Sequence, residues 1–142
     1  MIDSSGKPRG GEWTYDILNR KKFPKDEIPP EVRNPKKNKY VIESEKYVLK
    51  YFKDNLGLLG EFNYPTTIDE SEKWFKDFLI ERFNNFGDYE DAIVKDELTL
   101  NHSILSPLMN VGFLNPRKVI QDSLDYSEEH EIPINSTEGF IR

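Results

Sequence analysis

Residues 102–120 read HSILSPLMNVGFLNPRKVI, and they hold two helix starts of one form, Ser106-Pro107 and Asn115-Pro116, separated by Gly112. Proline is tolerated at the first helical position, where its missing N–H would have no partner anyway. A serine or asparagine just ahead of it can accept from the orphan amides of the first turn. Ser106 and Asn115 are therefore expected as N-caps. The first helix would run Pro107–Val111 and stop at Gly112, and a longer amphipathic helix would carry Val119, Ile120 and Leu124. Two helices this close, joined by a glycine stop, indicate a mainly α fold.

Outward from this stretch, the chain divides by composition. Pro8, Pro24, Pro29, Pro30 and Pro35, with Gly6, Gly10 and Gly11, rule out long regular structure before about Lys39. Residues 1–39 are read as an extended linker or arm, in which Trp13 and Tyr15 alternate as in a segment lying against another surface. Residues 40–142 are read as helical. Val41, Tyr47, Val48, Tyr51 and Phe52 share one face of the first helix, with Glu43, Glu45, Lys46, Lys50 and Lys53 opposite and Asn55 and Gly57 as stop residues.

The next helix is announced by the capping box Thr67-Ile68-Asp69-Glu70 and carries the stripe Trp74, Phe75, Phe78, Leu79 and Phe83. Aromatics at that spacing form core more often than they stack a cofactor. Phe86-Gly87-Asp88-Tyr89-Glu90-Asp91-Ala92-Ile93 is expected as a turn leading into a short helix. Asn135-Ser136-Thr137-Glu138 reads as a further capping box opening a helix that the chain leaves after only a few residues, which is odd for a complete domain.

Composition narrows the function classes. A chain of 142 residues is one domain or a piece of one. Its hydrophobic share of 36% is lean beside the roughly 45–50% (glycine included) of soluble domains, so an apolar neighbour is expected. No apolar run approaches the ~20 residues of a membrane span and no signal peptide is recognisable, so no membrane partner and a cytoplasmic location are expected. Zero cysteines exclude disulfides, thiolate zinc sites and iron–sulfur ligation from this segment. The net charge of -6 argues against an independent DNA-binding module, despite local clusters such as Arg20-Lys21-Lys22. Side-chain catalysis finds no support either. His102 and His130 are the only histidines, no Gly-x-Ser-x-Gly elbow occurs, and pairs such as Glu128-Glu129 belong to solvated faces.

Ser103 and Ser106 lie three apart just before a helix whose first turn offers unpaired amides and a positive dipole end, an arrangement that suits an anion. On the residues alone the simpler reading is a well-capped helix, because every serine-capped helix start looks like this.

Residues 102–117, His102 to Arg117, resemble the Ser-x-Leu-Ser-Pro…Gly-x-Leu-x-Pro-Arg motif of the photolyase and cryptochrome superfamily. GGEWTYDILNRKKFP (10–24), FGDYEDAI (86–93) and IPINSTEGFIR (132–142) resemble the superfamily's bacterial photolyase-related branch, which repairs (6-4) lesions and carries an iron–sulfur cluster. The resemblance implies a helical fragment of a photolyase-type FAD-binding domain, preceded by the inter-domain linker. It implies that His102, Ser103, Ile104, Leu105 and Ser106 surround the phosphates of FAD. Tyr89 joins them by analogy with a tyrosine ahead of the family's motif, although the spacing differs. Many relatives carry Thr at the position of His102 and Arg at that of Ile104, so this chain has fewer charged donors there.

The antenna chromophore, the iron–sulfur cluster, the lesion pocket and the rest of the FAD-binding domain are implied to lie outside the segment. The function implied is part of a flavoprotein for light-driven repair of pyrimidine lesions in damaged DNA, inactive as an isolated fragment. The alternative is a non-catalytic helical adaptor, or truncated remnant, without a cofactor.

Overall fold

The computed structural model describes residues 1–60 and 62–142. Among these the regular structure is helical: α1 Lys39–Tyr51, α2 Ile68–Glu81, α3 Phe83–Phe86, α4 Ser106–Asn110, α5 Pro116–Glu129 and α6 Ile134–Ile141, with no sheet. The expected mainly α architecture is the one observed.

Each long helix starts where a side chain can satisfy orphan amides. Asn38 caps α1, its Oδ1 accepting from the amides of Tyr40 and Val41 at 3.0 and 3.3 Å. Its Nδ2 also donates to Thr66 Oγ1 at 2.6 Å, which ties the start of α1 to the start of α2. Thr67 caps α2 by accepting from the Glu70 amide at 3.3 Å, but Glu70 reaches back to the Thr66 amide and not to that of Thr67. Asn115 caps α5 as expected, accepting from Arg117 and Lys118.

The core gathers on α2 and α3. Trp74, Phe75, Phe78 and Leu79 from α2 and Phe83 and Phe86 from α3 pack with Leu105, Leu108, Leu114 and Val119. Phe140 of α6 closes the cluster, its ring centroid 5.0 Å from Phe78 and 5.5 Å from both Phe83 and Phe86. Burying each such aromatic contributes about 1.5–3 kcal/mol, so α2, α3 and α6 hold the unit together.

Five expectations are corrected. The face of α1 is not core: only Val41 is buried, while Tyr47, Tyr51 and Phe52 stay exposed and stack on one another. The aromatic stripe breaks at Arg82, which separates α2 from α3, so Phe83 begins a new helix. The turn at Gly87–Asp91 forms, but no helix follows it, and Ile93 points into solvent.

The predicted cap at Asn135 is not one, because α6 begins at Ile134 behind Pro133. The polar side chains there turn inward. Ser136 Oγ donates to the Asn84 carbonyl at 2.8 Å and accepts from the Gly87 amide at 2.9 Å, and Asn135 Nδ2 donates to Asp88 Oδ1 at 3.1 Å. Buried polar groups must find partners, and the turn after α3 supplies them.

The arm is docked along this seam. Trp13 and Tyr15 do not alternate in an extended strand; a single 3-10 turn, Asp16–Leu18, follows Tyr15. Tyr15 is buried and its amide donates to Glu138 of α6, whereas Trp13 is exposed. Asn19, fully buried, donates to Glu90 Oε2 at 2.8 Å. Gly139 permits this approach, since a Cβ there would lie 2.5 Å from Asn19 Nδ2 and 2.8 Å from Glu90 Oε2.

Candidate functional site

The loop His102–Leu105 and the start of α4 are pinned by two apolar anchors. Leu100 and Leu105 are buried, so the loop between them has little freedom in where the chain enters and leaves. Beneath them sits Arg82, only 2% exposed, whose Nε donates to the His102 carbonyl at 3.2 Å. Its guanidinium lies over the Phe78 ring at 5.7 Å, and the nearest carboxylate, Glu81, stands 3.7 Å away. Burial pushes its pKa down while Glu81 and Asp77 push it back up; arginine starts so far above neutrality that the charge remains.

The His102 ring bridges two segments. Nδ1 accepts from the Leu100 amide at 3.4 Å, and Nε2 lies 3.2 Å from the Glu90 carbonyl. A carbonyl only accepts, so Nε2 is the donor to Glu90 in this network and Nδ1 the acceptor from Leu100. Both ring nitrogens are thereby committed within the protein.

Ile104 adopts φ +56°, in the left-handed region. A β-branched residue there clashes between its own Cβ and backbone, so surrounding contacts must hold it in place. Ile104 and the buried Leu105 lie between the two serines. Ser103 is half-buried and Ser106 exposed, and neither hydroxyl has a hydrogen-bond partner among the described residues.

Ser106 is not the cap expected of it. α4 starts at Ser106 itself, and the cap is Leu105, whose carbonyl accepts from the amides of Leu108 and Met109 at 3.0 Å each. Leu105 sits in the core, so the helix begins at the anchored residue, one position early. The stop at Gly112 is as expected. Its φ of +80° allows the amide pattern Phe113 to Leu108 and Gly112 to Met109 that closes a helix in a left-handed cap. With only Ser106–Asn110 helical, α4 is too short to contribute much dipole, so neutral donors dominate this cradle.

Two hollows flank the motif. Ile104 lines one of about 920 Å³ together with Val32, Tyr64, Trp74 and Thr99. Pro107 and Leu108 line another of about 690 Å³ with Val41, Val48 and Phe113. Among the described residues, Trp74 Nε1 is buried without a partner, as is Asn101 Oδ1 beside His102. Neither Ser103 nor Ser106 lines either hollow. Tyr89 stands apart in part: its turn touches the loop through the neighbouring Glu90 carbonyl, but its ring packs on Phe23 of the arm at 5.0 Å.

The residue that the sequence reading missed is Arg82. Its only signal is position, the one cation inside the run Phe78–Phe86, where helical spacing calls for an apolar side chain.

The deoxyribodipyrimidine photo-lyase-related protein family model matches residues 1–64, the arm and α1. The chain is 35% identical over 145 aligned residues to a (6-4) photolyase of Agrobacterium fabrum, an alignment covering all of this chain and 28% of that protein. It is also 40% identical over 55 residues to an uncharacterized protein of Acanthamoeba polyphaga mimivirus, covering 38% of this chain and 43% of that one. The chain thus spans little more than a quarter of the length of the photolyase it resembles. Among the described residues no helix is long and apolar enough to cross a membrane, and no group of three or more metal-binding side chains gathers. The chain is thus similar in its first 64 residues to the deoxyribodipyrimidine photo-lyase-related family and, along its whole length, to part of a (6-4) photolyase.

Proposed function

We propose that the chain is the linker and first helices of a flavin-binding domain in a cytoplasmic photolyase-like protein that repairs pyrimidine lesions in DNA by light. Residues 1–39 serve as the linker and residues 40–142 as the opening part of that domain. The observation that carries this reading is the pair Ser103 and Ser106, whose hydroxyls have no partner among the described residues and flank a left-handed Ile104. Similarity along the whole of this chain to 28% of a (6-4) photolyase supports it.

In this reading Ser103 and Ser106 hold the FAD diphosphate with their hydroxyls, and the amides of Ile104, Leu105 and Ser106 add donors. His102 contributes its backbone, since its ring is committed to Glu90 and Leu100. Tyr89 contributes from the adjoining turn. When bound, FAD supplies light absorption and electron transfer, and the protein's task is to hold it and to exclude competing chemistry. The iron–sulfur cluster, the antenna chromophore and the damaged-DNA pocket belong to the rest of the protein, so the isolated segment neither retains FAD nor repairs DNA.

Titrating FAD into the chain while following backbone amides by NMR tests this. Shifts concentrated at residues 102–106, weak and saturating, and abolished in Ser103→Ala/Ser106→Ala, are the expected result. Shifts scattered over the surface, or none, would remove the flavin from this site. A second reading, a helical module contributing packing surface only, is favoured by the exposed Tyr47, Tyr51 and Phe52 on α1. It predicts the null titration.

A further inference from the structure

We propose that Arg82 is the positioning residue of the serine loop: its buried guanidinium, fixed on the His102 carbonyl, sets the left-handed turn at Ile104 that spaces Ser103 from Ser106. The value of this to a phosphate rests on the flavin reading above. Its effect on the loop does not.

Three observations converge. Arg82 is nearly inaccessible, yet no carboxylate comes within hydrogen-bond distance of it among the described residues; the nearest, Glu81, is at 3.7 Å. Burying a charge is expensive unless it is hydrogen-bonded and paired, so a position that keeps arginine at the end of an aromatic helix needs a use for it. The hydrogen bond it does make goes to the backbone of the loop, at 3.2 Å from Nε to the His102 carbonyl. Two residues later Ile104 occupies a conformation that a β-branched side chain resists, which persists only where neighbouring contacts over-determine it.

The His102 side chain completes the clamp. Its ring spans from Leu100, ahead of the turn, to Glu90 in the segment after α3. The loop is thus held from below by Arg82, from the side by His102 and at its far end by buried Leu105. Arg82 alone among these carries charge. It places a cation directly behind a loop that has no basic side chain of its own from His102 to Asn115.

The test is backbone amide exchange on the ligand-free 142-residue chain. Arg82→Lys keeps the charge but removes the planar Nε–H donor. The expected result is faster exchange, by about tenfold or more, at the hydrogen-bonded amides that bracket the loop, Leu100, Leu108 and Met109, with the core amides of α2 and α5 within about twofold of wild type. A uniform rise through all helices, or an unchanged loop, would overturn the proposal in favour of a purely structural arginine.

Should Arg82→Lys fail to fold, the unmodified chain decides. The Arg82 Nε proton should exchange slowly with water and show a nuclear Overhauser contact to the Ser103 amide, whereas exchange as fast as that of exposed Arg33 overturns the assignment. Inorganic pyrophosphate then separates this idea from the flavin reading. A loop that loosens in Arg82→Lys but never responds to pyrophosphate in wild type supports the positioning role and counts against the flavin.

Discussion

At the scale of single residues, Ile104 and Leu105 stand side by side with opposite duties. Leu105 is 1% exposed and anchors both the core and the start of α4. Truncating it to alanine leaves a cavity that the surrounding rings cannot fill, and a loss of about 2–5 kcal/mol is expected in denaturant unfolding. Ile104 carries a backbone penalty of about 1–2 kcal/mol for its left-handed conformation, which asparagine tolerates far better. Ile104→Asn should therefore stay within about 1 kcal/mol of wild type, although it deletes a partly buried apolar side chain. A loss as large as that of Leu105→Ala would mean the loop is not left-handed in solution. The serines were readable as candidates because their type and spacing are local facts. Their freedom from internal partners was not readable, since Asn135, Ser136 and Asn19, equally polar, are all consumed by hydrogen bonds across the fold.

At the scale of elements, capping was legible where the cap competes with nothing else. Asn115 sits on an exposed helix start and its side chain has no other call on it, so the expected bonds form. Ser106 was misplaced by one residue, because the buried Leu105 decides where α4 begins. The two sites therefore separate by experiment. Asn115→Ala should cost about 1 kcal/mol, whereas Ser106→Ala, by the same thermal or denaturant measurement, should change stability by less than about 0.5 kcal/mol. An equal loss at both would restore Ser106 as a cap. The α1 face illustrates the opposite limit. Periodicity correctly gives a helix, but it reports only that Tyr47, Val48 and Tyr51 share a side, not that anything covers them.

At the scale of the whole molecule, the arm is held to α6 by charge as well as by burial. Arg20 and Arg142 both donate to the carboxylate of Asp16, and these hydrogen bonds, Arg20's first, lower its pKa. A carboxylate whose folded pKa lies below its unfolded value of about 3.9 adds stability that is present above that pH and is lost as pH falls through the folded value. Asp16 is only partly buried, so the effect is small and screened by salt. Acidification below about pH 4 should release the Asp16–Asn19 turn before the aromatic core melts, read as faster amide exchange there while α2 amides stay protected. Simultaneous loss of both would show that the arm and core are one cooperative unit. What the amino-acid order determined by itself was local: the helical class, most helix starts, the glycine stop and the serine motif, because capping and periodicity act over a few residues. Only the tertiary structure decided that Arg82 goes beneath the loop, that Asn135–Thr137 face inward and that α1 keeps its aromatics outside. Those outcomes depend on which distant groups are left needing a partner once the core has closed, and no local pattern encodes that.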